Sequence, residues 1–211
     1  MTMKIRNLIE REEFDYQTLL SALEGYASPR DRVTALLRSG VIVRVKKGLY
    51  VFGDEYRRKP YCRELLANLM YGPSMVSLET ALAYHGLIPE RAEAVTSVTT
   101  GRARRFETPI GLFIYRPTPC CSMGVEQAGE EGANFLIACP ERALADRIRS
   151  ERGGEVRTQK EMAHYLFENL RIEEDRVRSL DAELMSELSV ALKSRKVQVC
   201  AALIQTLRRR G

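Results

Sequence analysis

One stretch, residues 28–52, restricts the fold more than any other part of the sequence. Pro29 suits the first position of a helix, and Ser28 before it suits the N-cap, where its hydroxyl can accept a free backbone N–H. Apolar residues then recur with the spacing of one helical face, at Val33, Leu36 and Leu37. Gly40 is placed to end this helix in a left-handed conformation. The stretch therefore begins with a predicted amphipathic helix of about ten residues.

Two short apolar strands are predicted directly after this helix, at 41–43 and 49–52, with Lys46, Lys47 and Gly48 in the turn between them. Upstream, two further amphipathic helices are predicted, at 3–11 and at 16–23. Asp15 suits the N-cap of the second of these helices. Three helices and a β-hairpin within about fifty residues are the elements of a winged helix-turn-helix, with the third helix as recognition helix and the hairpin as wing.

Positive charge is concentrated in the same stretch. Residues 30–59 contain nine Lys or Arg and three Asp or Glu, a net charge of +6, whereas the whole chain carries +5. Clustered basic side chains are the electrostatic signature of phosphate binding, so we predict a double-stranded DNA interface. The alternative is a protein-docking module whose charges are simply solvated. The predicted DNA-binding residues are Ser28, Arg30, Asp31, Arg32, Thr34, Arg38, Arg44, Lys46 and Lys47.

Two roles are expected within this set. The side chains near the start of the recognition helix are predicted to contact base edges. These are Arg30, Asp31, Arg32 and Thr34. The remaining four basic side chains, Arg38, Arg44, Lys46 and Lys47, are predicted to contact the phosphate backbone.

Composition argues against several other classes of protein. The 211 residues are 45% hydrophobic and 29% charged, as in ordinary globular proteins, and no run of about eighteen apolar residues predicts a membrane span. The N-terminus lacks the apolar core of a signal peptide. None of the five cysteines (Cys62, Cys120, Cys121, Cys139, Cys200) forms a C-x-x-C pair, and the chain has two histidines. We therefore expect reduced thiols in a cytoplasmic protein with no metal and no cofactor.

The character of the sequence changes at the charged segment 53–59, which we interpret as a linker between domains 1–58 and 59–211. Helices are predicted at 64–70, 77–84, 140–149 and 158–169, the last with Thr158 and Glu161 as a capping box, followed by two C-terminal helices; strands are predicted at 95–99, 104–106, 112–115 and 135–138. Residues 123–133 are predicted to form a loop, and the basic tail 208–210 a frayed end. The expected fold class is α+β: an N-terminal winged helix-turn-helix, then a mixed α/β domain with C-terminal helices.

Four blocks of the second domain resemble the AbiEi antitoxin family. The first and most specific is P-S-M-V-S-L-E-T-A-L-A-Y-H-G-L-I-P at 73–89. V-T-S-V-T-T at 95–100, R-F-E-T-P-I-G-L-F-I-Y at 105–115 and A-C-P-E-R-A-L-A-D at 138–146 follow in the family's order. Two features depart from the pattern: Cys139 stands where Ser or Thr is expected, and residues 118–133 do not align.

The resemblance implies a transcriptional repressor and antitoxin of a type IV toxin–antitoxin system. In that family the winged helix binds inverted repeats in the operon's own promoter, as a monomer or weak dimer that cooperates on DNA. The second domain counteracts a nucleotidyltransferase-like toxin, and a stable complex with the toxin is not required. These expectations come from the resemblance alone.

An enzyme acting on nucleic acid is the alternative function, with Glu79, His85, Glu107 or Asp146 as candidate catalytic groups. Glu79 and His85 are six residues apart and do not share a helical face. A histidine before a glycine, as His85 is, is typical of a helix C-cap. Asp146 is expected to form a hydrogen bond or an ion pair within the fold. No lysine has an acidic residue two positions earlier, no glycine precedes serine, and no phosphate-binding G-x-x-x-x-G-K-[ST] loop is present. We therefore predict no enzymatic activity, and a protein-interaction adaptor is the third alternative.

Overall fold

A computed structural model describes residues 2–90, 92–130, 132–151 and 156–210 of the chain. Within these ranges the fold is mixed α+β, with ten α-helices, one π-helical turn and two β-sheets. The predicted fold class is therefore confirmed at the level of α+β. No helix among the described residues is both long and apolar enough to cross a bilayer.

The N-terminal unit combines three helices with a small antiparallel sheet. Its elements are α1 (Thr2–Leu8), β1 (Glu13–Asp15), α2 (Tyr16–Ser21), α3 (Pro29–Arg38), β2 (Ile42–Lys46) and β3 (Leu49–Phe52). β3 pairs with both other strands, so the order in the sheet is β1-β3-β2. The three helices and the hairpin agree with the sequence prediction, whereas β1 was not predicted.

Local signals explain most of these boundaries. The Thr18 backbone N–H donates to Asp15 Oδ1 (2.8 Å), which confirms the predicted cap of α2 and lowers the pKa of Asp15. Gly40 has φ +70° and ends α3 as predicted. Ser28 occupies the N-cap position, but its hydroxyl makes no capping bond, so that detail of the prediction is wrong. The spacing of Ile5, Leu8 and Ile9 predicts one apolar face for the first helix, but Leu8, the last residue of α1, is 60% exposed while the other two are buried.

The linker is held against the N-terminal unit by a buried ion pair. Arg6 pairs with Glu12, and its guanidinium lies 4.4 Å from the ring centroid of Phe52. Glu12 Oε1 also accepts the backbone N–H groups of Arg58 (3.1 Å) and Lys59 (3.3 Å). The charged segment 53–59 therefore follows a defined path across the first unit.

The second unit is built on a six-stranded mixed sheet. Its elements are α4 (Arg63–Met70), β4 (Ser74–Val76), α5 (Leu78–Tyr84), β5 (Val95–Thr99), β6 (Arg104–Thr108), β7 (Gly111–Pro117), β8 (Val125–Ala128), β9 (Phe135–Ala138) and α6 (Pro140–Ser150). The strand order is β6-β7-β5-β4-β9-β8. The pairs β4–β9 and β5–β7 are parallel, and the other pairs are antiparallel.

Two strands of this sheet were not predicted. Val125–Ala128 pairs with β9, so the prediction of a loop at 123–133 is wrong for these residues. β8 lies at the sheet edge with two exposed central side chains, and it therefore lacks the apolar alternation that marks a strand. β4 is three residues long, too short for a periodic signal.

Helices cover both faces of the sheet. On one face, the Tyr115 hydroxyl donates to the Ala67 carbonyl of α4 (2.7 Å). On the other, Thr96 and Thr80 of α5 exchange hydrogen bonds, including the Thr96 N–H to Thr80 Oγ1 at 2.8 Å. Thr96 and Ser97 are adjacent in β5, so their side chains point to opposite faces of the sheet. Tyr115 is aligned with Ser97 in the neighbouring strand and points to the same face as Ser97. The helix that contacts Tyr115, α4, and the helix that contacts Thr96, α5, therefore lie on different faces.

The C-terminal part is helical: α7 (Gln159–His164), the π-helical turn Tyr165–Asn169, α8 (Glu174–Ser179), α9 (Ala182–Ala191) and α10 (Arg195–Arg210). The predicted capping box of Thr158 and Glu161 is present. α9 and α10 match the two predicted C-terminal helices, and α8 is additional. The frayed tail was a wrong prediction for Arg208, whose guanidinium donates to the Leu180 carbonyl (2.7 Å) after α8.

The β2–β3 hairpin joins the two units. Val45, Leu49 and Val51 are buried in the larger core of the second unit rather than in the core of the first. Glu13 also accepts the backbone N–H of Cys62, at the start of α4. The division proposed after residue 58 is therefore crossed by both apolar and polar contacts.

Candidate nucleic-acid interface

The outer face of α3 carries most of the side chains predicted to contact bases. Val33 and Leu36 are buried against the first unit, whereas Arg30, Asp31, Thr34 and Arg38 are exposed on the remaining surface of the helix. Ser28, also exposed, precedes this face. The Thr34 hydroxyl donates to the Arg30 carbonyl (3.2 Å), which fixes its rotamer on the helix.

Arg32 is less accessible than its neighbours on α3. It is half-buried, and its guanidinium carbon lies 5.4 Å from the ring centroid of Tyr26. Its Nε is buried, with no hydrogen-bond partner within the described part of the chain. The Tyr26 ring therefore holds the Arg32 guanidinium at the flank of α3, and its Nε makes no hydrogen bond with a described residue.

The structure separates the two lysines of the predicted wing. Lys47 is exposed in the turn, whereas Lys46 Nζ donates to the Met70 carbonyl at the end of α4 (2.7 Å) and lies 5.1 Å from the Phe106 ring centroid. The register of β2 against β3 shifts between Arg44 and Lys46, and such a bulge redirects the following side chain. Lys46 thus caps a helix of the second unit instead of extending from the wing with Lys47.

Exposed cations that form no ion pair within the described ranges mark this surface. Arg30, Arg38, Arg44 and Lys47 form no ion pair with any residue that the structure describes. Nearby linker residues differ, because Arg57 pairs with Asp54 (3.1 Å) and Arg58 Nη2 donates to Asn7 Oδ1 (2.7 Å). The surface formed by α3 and the hairpin therefore has positive charge available for an anionic ligand.

The most buried charge of the second unit was missed by the sequence interpretation. Arg142 is 0% exposed, and its Nε donates to Asp146 Oδ2 (2.9 Å). Its Nη2 donates to Thr118 Oγ1 (2.9 Å) and its Nη1 to the Met123 carbonyl (2.9 Å). Ser77 Oγ completes the network by donating to Asp146 Oδ2 (2.8 Å). Burial raises the pKa of Asp146, while Arg142 and Ser77 favour its charged form.

A sequence signal for this network exists but is weak. Arg142 and Asp146 are four residues apart on α6, the spacing of a helical ion pair. The predicted hydrogen-bonding or ion-pairing role of Asp146 is confirmed. The partner could not be recognised, because the groups that bury it come from loop 118–123 and from Ser77, far away in sequence.

The other candidate catalytic residues are each occupied by a separate structural contact. Glu79 pairs with Arg147 (3.1 Å) and Glu107 with Arg105 (3.0 Å). His85 is the C-cap of α5, as predicted, but its Nε2 donates to the Ala138 carbonyl of β9 (2.8 Å) rather than to the last turn of α5. Across the described ranges, no group of three or more His, Cys, Asp or Glu side chains has the arrangement of a metal site.

The five cysteines are free thiols in different environments. Hydrogen bonds from the Ser122 side chain and backbone lower the pKa of Cys120 to about 7. Burial raises the pKa of Cys139 and of Cys200 to about 12. The most acidic thiol therefore lies in the loop that Arg142 anchors.

No family model matches the sequence, and a search of curated proteins found no similar protein.

Proposed function

We propose that residues 2–58 form a winged helix-turn-helix that binds double-stranded DNA, with α3 in the major groove and the β2–β3 hairpin as the wing. The element order α1-β1-α2-α3-β2-β3 and the sheet order β1-β3-β2 support this proposal. The observation that carries it is the set of exposed cations on α3 and the hairpin that form no ion pair with a described residue. These are Arg30, Arg38, Arg44 and Lys47.

Different contacts support different roles within the proposed interface. Arg30, Asp31 and Thr34 are exposed at the N-terminal half of α3, the position from which side chains reach base edges. Arg44 and Lys47, on the hairpin, are suited to phosphate contacts. Lys46 is assigned a different role, because its contacts with the second unit hold the wing in place.

We further propose that the protein is a transcriptional repressor and antitoxin of the type IV class, acting in the cytoplasm. Its operator would consist of inverted repeats in its own promoter, occupied by monomers or weak dimers that cooperate on DNA. Residues 59–211 would counteract a nucleotidyltransferase-like toxin without forming a stable complex. The resemblance of the four sequence blocks supports this part of the proposal.

Selection from a random duplex library tests the DNA-binding proposal. The full chain should enrich a defined half-site in inverted orientation, with affinity that falls steeply as salt increases. Arg30→Ala combined with Arg44→Ala should abolish the enrichment, whereas Arg105→Ala, which removes an exposed arginine of the second unit, should preserve it. Enrichment by the double variant, or no enrichment by the native chain, would refute the assigned surface.

The antitoxin proposal needs a separate measurement. The full chain would be co-expressed with the product of the adjacent reading frame, if that product inhibits growth when expressed alone. Restored growth with the native chain and with Arg30→Ala/Arg44→Ala is the expected result, since the proposed activity resides in the second unit. Continued growth inhibition at equal protein levels would contradict it.

A further inference from the structure

A second positively charged site lies in the second unit and includes no residue of α3 or the hairpin. A cavity of about 580 Å³ opens between the end of β7, the residues before β6 and the last turn of α6. Arg116 and Arg149 line it together with the apolar side chains of Leu78, Val98 and Ala103. We refer to this cavity as the arginine groove.

The two arginines are brought together by strand register and by a backbone contact. Arg116 aligns with Val98 in the parallel pair β5–β7, so both side chains point to the same face of the sheet. Arg149 reaches this edge from α6, and its Nη1 donates to the Pro117 carbonyl (3.0 Å). One guanidinium is therefore fixed next to the residue that follows Arg116.

The positive charge of the groove is only partly offset by Asp146. Burial raises the pKa of Asp146, whereas Arg142 and the nearby Arg149 lower it. Arg116 and Arg149 are both exposed, and neither forms an ion pair with a residue of the described ranges. Asp146 also borders the cavity, but its two carboxylate oxygens accept hydrogen bonds from Arg142, and one of them also from Ser77. The guanidinium groups of Arg116 and Arg149 thus line the groove, while the Asp146 carboxylate accepts hydrogen bonds from buried groups.

Apolar residues also line the groove, beside Asp146 and Ser150, and they give it a second property. Leu78 and Val98 are buried, whereas Ala103 and Pro117 are exposed in the cavity lining. An apolar surface next to two guanidinium groups suits a ligand that combines a flat base with a phosphate. The volume lies within the range of about 300–1,000 Å³ that is typical of small-molecule sites.

We propose that the arginine groove binds a phosphorylated nucleoside, with its phosphate on Arg116 and Arg149 and its base over the exposed Ala103 and Pro117. The ligand is either a free nucleotide or the phosphorylated end of a nucleic acid strand, which share this chemistry. The site is independent of the DNA-binding surface proposed for the first unit. Binding to the duplex selected by α3 should therefore be unchanged when the groove is altered.

Calorimetric titration of the full chain tests the proposal. The probes are the four nucleoside triphosphates, the matching unphosphorylated nucleosides, inorganic pyrophosphate, and one short oligonucleotide with and without a 5′-phosphate. Saturable binding of a nucleotide or of the phosphorylated oligonucleotide is expected, at least about tenfold tighter than its unphosphorylated counterpart and than pyrophosphate. Preference for the free nucleotide or for the phosphorylated strand identifies the ligand's source.

Matched variants locate the site. Arg116→Ala and Arg149→Ala should each weaken binding at least about tenfold, because a charge-assisted contact to phosphate is lost. Arg105→Ala removes an equal charge from β6, outside the groove, and should change the affinity less than about threefold. Ala103→Glu places a negative charge on an exposed residue of the groove and should abolish binding without perturbing the fold.

Three results would overturn the proposal. One is the absence of phosphate-dependent binding to the native chain. Another is an equal loss of affinity in Arg105→Ala and Arg116→Ala, which would indicate general charge attraction. The third is full binding by a folded Ala103→Glu variant.

Discussion

The surface of α3 and the hairpin and the interior of the second unit place their charges in opposite ways. On α3 and the hairpin of the first unit, Arg30, Arg38, Arg44 and Lys47 are exposed without ion-pair partners among the described residues. In the second unit, Arg142 is enclosed and joined to Asp146. Exposed cations remain available to a ligand, whereas an enclosed cation must find its partners within the fold. The same residue type is therefore free for a ligand on the first surface and serves the architecture of the fold in the second unit's interior.

The buried arginine shows what internal charge accomplishes. Its donors reach Thr118, Cys120 and Met123, all within one loop, while Asp146 balances its charge. A β-bulge or a turn motif could hold two of these residues in position. A single guanidinium holds all three, because it carries several N–H donors in a fixed geometry. One side chain of α6 therefore holds this loop at three points, in addition to the backbone hydrogen bond from the Thr118 N–H to the Thr99 carbonyl (2.8 Å).

The largest expected effect comes from separating the units. A fragment of residues 1–58 would expose Val45, Leu49 and Val51, which pack in the larger core. We expect it to lose about 3–6 kcal/mol of stability, on the basis of about 1.5–3 kcal/mol per fully buried apolar side chain and incomplete exposure. Since a unit of about sixty residues is marginal alone, its DNA affinity should fall at least about tenfold. Circular dichroism during thermal unfolding and a DNA titration measure both effects.

The complementary fragment is the control for this comparison. Residues 59–211 retain the six-stranded sheet and the helices on both of its faces, so this fragment should fold and keep growth rescue while losing repression. A fragment 1–58 that unfolds at the same temperature as the full chain would show that the hairpin contacts contribute little. Growth rescue by 1–58 would contradict the proposed assignment of activities.

Removal of the buried guanidinium should have the next largest effect. Arg142→Met leaves Asp146 as a buried carboxylate without its cation and frees loop 118–123, which we expect to cost about 3–5 kcal/mol. Urea denaturation gives the free energy of unfolding. Arg105→Ala, at an exposed ion pair, should change it by less than about 1 kcal/mol.

A double variant separates charge from packing at this position. Arg142→Met with Asp146→Leu removes the uncompensated charge as well, and it should be more stable than Arg142→Met alone. Equal stability of the single and double variants would mean that the loop contacts, rather than the carboxylate, account for the loss.

These examples also show which features were predictable from sequence. The Asp15 cap, the Thr158 capping box and the left-handed Gly40 are fixed by neighbouring residues, and all three were predicted correctly. The partners of β4 and β8 lie elsewhere in the chain, and short strands without alternation give no local signal. The spacing of Arg142 and Asp146 is compatible with a helical ion pair, but the burial of Arg142 could not be predicted, because its environment is assembled from distant segments.

The arrangement of the candidate DNA surface was predictable in part. Helical periodicity separated the buried Val33 and Leu36 from the exposed Arg30 and Arg38, because the 3.6-residue repeat determines which side chains share a face. Adjacent positions in a turn carry no such information. The sequence predicted a phosphate contact for both Lys46 and Lys47. In the structure, a shift in strand register directs Lys46 to the second unit instead.

Base contacts are tested by Arg30→Ala. Arg30 is exposed in the first turn of α3 without an ion-pair partner among the described residues, so the substitution should leave the fold intact. We expect a loss of about 1–3 kcal/mol on the selected duplex and relaxed preference at one base pair. Competition titrations with single-base variants of the site measure this preference. Equal weakening on random and selected duplexes would reassign Arg30 to phosphate contact.

The two wing lysines give the smallest and most specific test of the comparison between the units. Lys47→Ala should lower the slope of log affinity against log salt by about one, since one phosphate contact is lost, with little change in stability. Lys46→Met keeps the apolar stem but removes the ammonium that bonds to Met70 and lies beside Phe106. It should cost about 1–2 kcal/mol of stability and leave the salt slope unchanged. The double variant should therefore lose one unit of slope rather than two. A slope that falls equally in both single variants would place Lys46 on the DNA and show that its contact with α4 is broken in the complex.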